Sequence, residues 1–507
     1  MHKLALGSMP IALLVGCTVG PDFSEPAAPD ATTYFQDSVQ PPAPGGNDVS
    51  QRFVLGAKVA GDWWTAFHSA ELNRLVEEAI AQNRTLASAK AALRQAQQVA
   101  VQAGGALYPQ VGFAANAARE RYSFASQGEN LPASYFNVFS LGPTASFSLD
   151  PFGGNRRRLE QATALADSQD YQAVAAFLTL TGQVVVQVLN IASDRDQIDA
   201  VHDIVAEDER DLQLVRTESR AGELTQIDIQ SAISQLETDR NLLPPLQQEL
   251  SVAYDALSVL LGKVPSQTKM PELGLVDIEL PAELPLTVPS ELVHQRPDIL
   301  SSEAQLHAAS AAIGVATAQL YPNLTLSGSM SQEALTLAHL FSPMSNIWSV
   351  ASGLTAPIFA GGALEAQRAA AVEAYDGALA TYEQTVLQSF GQVADVLHAL
   401  SHDADLLRGQ RRALEAAAES LRLVRQTFSF GNVTLLQVLD AERQYAKARL
   451  GYAQAKAQRY RDTVQLFVAM GGGWQGWHDS NATESPAKAT KTSTSDDARH
   501  PQVGRSR

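Results

Sequence analysis

The chain holds one cysteine, few aromatic residues (7%) and, beyond its first residues, no run of eighteen or more apolar side chains. One cysteine excludes a disulfide framework. Without a long apolar run there is no candidate transmembrane helix, so any crossing of a membrane by the mature chain must use a closed β-barrel. Cations are also short: 37 Lys and Arg stand against 54 Asp and Glu, for a net charge of −17. That balance lacks the basic face a nucleic-acid partner requires. Proline is missing from two very long stretches, Asn155 to Arg220 and Ala363 to Phe430, the first with Gly182 as its one glycine. At 1.5 Å per residue the first would make a helix of about 100 Å, too long for a globular core.

What is present begins with an address. Lys3, an apolar stretch from Leu4 to Val15 and then Leu14-Val15-Gly16-Cys17 form the pattern of a bacterial lipoprotein signal peptide, residues 1–16. Cys17 is expected to be the acylated mature N-terminus, and its lipid is the only attached group expected; no cofactor or metal is. Thr18 stands where an inner-membrane lipoprotein usually carries Asp, so the expected place is the outer membrane, facing the periplasm.

The chain also repeats itself. Leu107-Tyr108-Pro109-Gln110-Val111 returns as Leu320-Tyr321-Pro322-Asn323-Leu324, and Leu214-Val215-Arg216 with Gly222 and Thr225 returns as Leu423-Val424-Arg425 with Gly431 and Thr434. A period near 209 residues far exceeds a solenoid unit and implies two copies of one half-molecule. The halves are expected at 61–263 and 290–473, flanked by an extended strap over 17–60 and a disordered tail over 474–507. A proline-rich connector, 264–289, would join them at the equator.

Each half contains a pair of alternating segments. From Phe139 to Asp150 the residues Phe139, Leu141, Pro143, Ala145, Phe147 and Leu149 alternate with small or polar ones. Asn323 to Ser331 repeats the pattern, and Val111 to Arg119 and Trp348 to Ile358 give weaker versions. Strands are expected at about 108–120, 137–150, 321–332 and 347–359, apolar outward and polar inward as in a lipid-facing barrel. A half-buried soluble strand has the same period; Tyr108, Tyr321 and Trp348, near strand ends as in an interfacial girdle, favour the barrel. Four strands leave two unpaired edges and cannot close. Three copies give twelve strands and a conducting interior, so a homotrimer is expected. The long helices should reverse at Gly222 and Gly431 into hairpins over about 155–262 and 363–470. Pro244-Pro245 should bend the first return helix. The fold class is therefore a mixed α and β membrane protein, a trimeric 12-stranded β-barrel continued by a long periplasmic α-helical barrel.

Asp62-Trp63-Trp64-Thr65-Ala66-Phe67, Arg296-Pro297-Asp298-Ile299 followed by Ile313-Gly314-Val315-Ala316, and Cys17-Thr18-Val19-Gly20-Pro21-Asp22-Phe23 resemble the TolC-like outer membrane factors, in their NodT/OprM-type lipoprotein branch. The resemblance spans about residues 14 to 473. It implies the outer membrane channel of a tripartite efflux system, a passive exit duct for small molecules. Its implied partners are a periplasmic membrane-fusion adaptor, an inner-membrane pump of the RND type and outer membrane lipid. Pro297 suits a helix start, Asp298 and Glu303 suit the positive end of its dipole, and Trp63, Trp64 and Phe67 read as anchors of the strap.

By the same resemblance, acidic residues after the hairpin turns line the closed entrance. Spacing from the turns assigns that role to Asp228 and Asp440, whose rings of three carboxylates would favour cations and resist full ionisation. Gln437 replaces the first acid of the second hairpin, and Val433 replaces an arginine of the family's closing lock. The tips Gly222-Glu223-Leu224-Thr225 and Gly431-Asn432-Val433-Thr434-Leu435 are expected to expose apolar residues and dock the adaptor.

Catalytic patterns fail on context. Gly471-Gly472-Gly473-Trp474-Gln475-Gly476 matches G-x-G-x-x-G but follows a helix instead of a strand. His398 and His402 stand four apart but lack the Glu of HExxH and a third ligand. Three rivals remain: an exit duct for type I protein secretion, a non-conducting scaffold, and a periplasmic hydrolase. The lipoprotein motifs, the polar strand faces and the missing catalytic set weigh against them in turn.

Overall fold

The structure, a computed structural model, describes residues 18–27, 29, 33–34, 51–123, 125, 128, 132–269, 271–474 and 477. The signal peptide, Cys17, much of the strap and most of the C-terminal tail lie outside the described residues. In chain order the elements are β1 (Arg52–Leu55), α1 (Ala70–Gln82), α2 (Arg84–Gly105), β2 (Gln110–Tyr122), β3 (Ser134–Ser148), α3 (Gly154–Ala221), α4 (Gln226–Arg240) and α5 (Leu243–Leu260). Then come β4 (Glu283–Leu286), α6 (Pro289–Leu292), α7 (Pro297–Ala318), β5 (Asn323–Ala334), β6 (Asn346–Thr355), α8 (Ala363–Ser429) and α9 (Leu435–Ala469). Helix, two strands, very long helix and return thus occur twice.

Four strands form one antiparallel sheet in the order β2-β3-β5-β6, leaving β2 and β6 as edges. Register puts Val111, Ala145, Gly328 and Val350 in one cross-strand row, and Phe113, Pro143, Met330 and Trp348 in the next on the same face. Side chains alternate along a strand, so this face is continuously apolar from β2 to β6. The opposite face carries Asn116, Ser140, Thr144, Ser327, Ser329 and Ser349. Proline trims the strands relative to the expected bounds. β2 and β5 start after Pro109 and Pro322, and β6 stops at Thr355, two residues before Pro357, leaving Ile358 outside the sheet. β3 starts earlier than expected, at Ser134, because it pairs with β2 up to Tyr122.

The sheet continues into helices. Asp150 turns the chain with a positive φ of 47°, and its Oδ2 accepts from the Asn155 and Arg156 amides at 3.0 and 3.1 Å, capping α3. α3 and α8, of 68 and 67 residues, run the full length. Beside them, shorter helices stack end to end. Asn83, the N-cap of α2, donates to Leu260 O at the end of α5 at 2.9 Å; Arg296, the N-cap of α7, donates to Ala469 O at the end of α9 at 2.8 Å. At each joint the finished helix exits through a left-handed glycine, Gly262 or Gly471. α3 packs on α2 and α7 in its upper half and on α4, α5 and α9 in its lower half, while α8 packs on α7 and α9. The chain therefore contributes four parallel rods to a wall, α2/α5, α3, α7/α9 and α8.

The return of the first hairpin is broken at Asn241–Leu242, just before the expected prolines, with Pro244 in the first turn of α5 where its missing N–H costs nothing. One 18-residue window of α3 reaches a mean hydropathy of 1.7, but 61% of it is buried; Val174, Val184 and Val188 there belong to the main core.

That core joins the rods to α1 and the aromatic segment before it. Trp63 stacks on Phe467 at 5.3 Å, and Trp64 meets Phe177 edge-on at 6.3 Å. Two features were not expected. β1 pairs in parallel with β4, fastening the strap to the connector; four-residue strands give too little alternation to read. The expected tail also starts too early at 474. Trp474 Nε1 donates to Gln295 O at 2.8 Å, and buried Trp477 packs on Phe177 at 5.5 Å. Large aromatic area overrides the polar composition around it.

At the other end the first described residues grip the sheet–helix junction. Val19 N donates to Phe152 O at 3.1 Å, Arg157 pairs with Asp22 at 2.7 Å, and Phe23 stacks on His307 at 4.4 Å. Gly20, at φ 94°, lies where a Cβ would come within 2.4 Å of Gly314 Cα. Strap and helix approach so closely because both residues are glycine.

Candidate functional site: the hairpin tips

Both tips are built alike. α3 ends at left-handed Gly222, and Glu223 N returns to Glu218 O at 3.0 Å. α8 ends one residue before Phe430 and left-handed Gly431, with Asn432 N returning to Thr427 O at 3.2 Å. Each returning helix then starts on a capping box. Asp228 Oδ2 accepts from the Thr225 amide at 2.8 Å and its hydroxyl at 2.7 Å, and Gln437 Oε1 accepts from the Thr434 amide at 3.0 Å. Gln437 is thus the counterpart of Asp228, while Asp440 lies one turn further on.

Within one chain the Thr225 hydrogen bonds hold the Asp228 carboxyl below the usual carboxylate range. This runs opposite to the reluctance to ionise expected of a carboxylate ring, because cap donors stabilise the anion. Asp440 is exposed and ion-paired with Arg443, three residues on along the same helix face. It borders a groove of about 560 Å³ between α4 and α9, lined also by Ile227, Gln230, Ser234 and Leu436.

The tip apolar residues divide differently from expectation. Leu435 is buried with Leu212, Val215, Leu236, Val438 and Leu439, and Leu224 packs half-buried against them. Exposed instead are Ile227, Phe430 and Leu436. The helical period shows why: Leu435, Val438 and Leu439 share an inward stripe at i, i+3 and i+4, whereas Leu436 falls outside it.

Above the tips lies a charge network that motif reasoning missed. Arg425 on α8 reaches Glu442 on α9 at 2.9 Å, and Asp211 and Glu207 on α3 at 3.0 and 3.6 Å. Burial and then the neighbouring Asp211 push Glu442 up to about 8, against the pull of Arg425. Burial and then Asp239 on α4 push Asp208 up to about 8 as well. Further up, burial and Asp462 on α9 do the same to Asp403 on α8. Each pair holds a carboxyl beside a carboxylate across two packed helices. The signal was present as acids at buried helical positions, but partners on other helices cannot be read from spacing.

Arg296-Pro297-Asp298-Ile299 is structural. Arg296 is buried and grips Asp298 at 2.7 Å and Gln392 at 2.8 Å besides Ala469 O. Burial alone would raise Asp298, yet the Arg296 hydrogen bonds outweigh it and hold the carboxyl low. Beside that joint, a concavity of about 920 Å³ touches all four rods through Gln183, Val259, Gln392 and Gln465.

A sheet with a lipid-type face, extended by four long rods ending in capped tips, defines one wall segment of a membrane channel. Comparison with known proteins agrees. The family model described as outer membrane efflux protein matches residues 75–263 and 288–472. The chain is 31% identical to the pyoverdine export outer membrane protein OpmQ of Pseudomonas aeruginosa, over 94% of this chain and 98% of that one. It is 28% identical to the cation efflux system protein CusC of Escherichia coli K12, over 91% and 97%. Among solved structures, the outer-membrane channel OprN superposes with a TM-score of 0.81 at 28% identity, covering 90% of this chain and all of that one. The chain belongs to the outer membrane efflux protein family. It is an efflux channel of the outer membrane, with its helical wall in the periplasm.

Proposed function

We propose that three copies close a twelve-stranded barrel and a twelve-rod periplasmic tube, forming a passive exit duct for small molecules. The carrying observation is the open sheet: its β2 and β6 edges are unpaired in one chain, and one whole face is apolar. In lipid such edges must be paired, and other copies of the chain supply matching edges. The two halves of the chain act as internal repeats, each giving two strands and two rods. Relatives named for pyoverdine export and for cation efflux support small-molecule cargo.

Cys17, two residues before Val19 and the strap's grip on the sheet–helix junction, carries the lipid that anchors this end in the inner leaflet. Gly222, Glu223, Leu224 and Thr225, with Gly431, Asn432, Val433, Thr434 and Leu435, form the surface that meets the hairpins of a periplasmic adaptor. An RND pump in the inner membrane supplies the energy. Asp228, Gln437 and Asp440 line the entrance, with Asp440 setting cation preference.

Native mass spectrometry of the detergent-extracted protein should give three chains; a monomer or dimer would refute the closed barrel. Asn432→Cys offers a single reactive thiol at the tip if Cys17 is acylated. A short crosslinker in cells should capture an adaptor, and capture of sister copies alone would remove this docking surface. Asp440→Ala should raise single-channel conductance or lower cation preference, and unchanged traces would take Asp440 out of the gate.

A further inference from the structure

The lipid-type face of the sheet does not end uniformly. Along β2 it reads Val111, Phe113, Ala115 and Ala117, and then Arg119 and Arg121. β3 presents Asn137 and Tyr135 beside those arginines, and β5 and β6 end their apolar rows at Gln332 and Asn346. Gln332 pairs with Leu141, four residues before the polar Asn137 is reached along β3, so the polar edge climbs across the sheet. Such a stagger is what strands tilted by about 40° need to keep a level polar boundary. Arg119 lies eight residues above Val111, about 27 Å along the strand and about 20 Å along the membrane normal, at the upper edge of an apolar band about 25 Å tall.

This edge is the outer one. β2 rises from Gln110, next to the end of α2, away from the rods, and the rods hang in the periplasm.

Charge is sorted between the faces at this height. The acids Glu120 and Glu333 point to the polar face, while both arginines share the apolar one. Arg119 and Arg121 are exposed and form no ion pair among the described residues. Arg121 Nε donates to Tyr135 Oη at 3.0 Å, with the guanidinium carbon 5.8 Å from the Tyr135 ring centroid. That contact orients the guanidinium and leaves its terminal nitrogens undirected toward any described acceptor. In a chain of net charge −17, two cations on a lipid-facing strand, with no carboxylate paired to them among the described residues, match an anionic headgroup.

We propose that Arg119 and Arg121, steadied by Tyr135, form a binding site for the phosphates of phosphorylated glycolipid in the outer leaflet. A guanidinium fork takes phosphate oxygens in pairs, and the apolar rows below receive the acyl chains. The inference rests on the lipid-facing assignment of the sheet and goes beyond transport itself.

The test is retention of lipid by the full-length protein in detergent, read by native mass spectrometry with diphosphorylated and fully dephosphorylated lipid A as probes. The unmutated protein should retain the diphosphorylated form about tenfold better, as expected for charge-assisted hydrogen bonds. Arg119→Ala with Arg121→Ala should bring the two forms level, and the double lysine variant should keep part of the preference. Equal retention by the unmutated protein overturns the proposal without needing any variant to fold, as does a preference that survives the alanine pair. Retention of neither form also overturns it. Conductance in planar bilayers separates that last result from failure of the channel reading: a conducting protein that retains no lipid A loses the site alone.

Discussion

Arg425 and Arg216 occupy the same place in the two halves, 209 positions apart, yet they live differently. Arg425 is held by Glu442, Asp211 and Glu207, tying α8 to α9 and α3. Arg216 is exposed and forms no ion pair among the described residues. The positions matching those three acids are Ile233, Ser420 and Ala416, so no equivalent network can form around Arg216. One architectural unit used twice thus gives one seam, inside the chain, that is electrostatically latched. In the proposed trimer the matching seam would run from α3 and α4 toward α8 of the next copy, and the residues around Arg216 give it no such latch. Repetition fixes the backbone, and a few substitutions decide which seam holds.

The largest test of equivalence lies at the two joints. Gly262→Ala would set a Cβ 2.4 Å from the backbone oxygen of Gln82, whereas at Gly471 the nearest atom is the Arg296 Cγ at 2.5 Å. Both positions have positive φ. Thermal unfolding should show Gly262→Ala costing about 3 kcal/mol and Gly471→Ala a similar amount, since the Arg296 Cα also lies 2.9 Å from the added Cβ and the Arg296 side chain is pinned by Asp298, Gln392 and Ala469 O. Next, Arg425→Ala should cost about 2 kcal/mol, leaving Glu442 buried beside Asp211, with partial exposure of Arg425 moderating the loss. Arg216→Ala should stay within about 0.5 kcal/mol.

The acid pairs predict a pH response of definite sign. Glu442, Asp208 and Asp403 have folded-state pKa values raised to about 8, so the folded protein binds protons that the unfolded chain has released. Their stabilisation is complete at low pH and declines as pH rises from the ordinary carboxylate range to about 8. Melting temperature should fall across that window, and Glu442→Gln should flatten part of the fall. Asp228 has the opposite sign: its cap is intact above the ordinary carboxylate range and lost as pH falls below it. Thr225→Ala and Thr434→Ala should each cost about 1 kcal/mol or less, and only the first should depend on acid pH.

Much of this was legible because it is periodic. The alternation from Phe139 to Leu149, the proline-free stretches and the turn glycines each answer to a local rule. What escaped depends on partners distant in sequence. β1 and β4 are too short to show a period and pair across more than two hundred residues. Trp474 and Trp477 follow a glycine run that reads as a terminus, and only Gln295 and Phe177 show that the fold continues there. The family resemblance places Asp228 at the gate, and the cap it forms on α4 shows only in its hydrogen bonds to Thr225. The exposed apolar residues of the tips, Ile227, Phe430 and Leu436, needed the helix phase.

Single-channel recording of Arg425→Ala beside Arg216→Ala tests the latched seam most directly. Freed from Arg425, α8 and α9 should part from α3 near the tips. Conductance should rise clearly for Arg425→Ala, and Arg216→Ala should give traces like those of the unmutated channel. Equal behaviour of the two variants would contradict it.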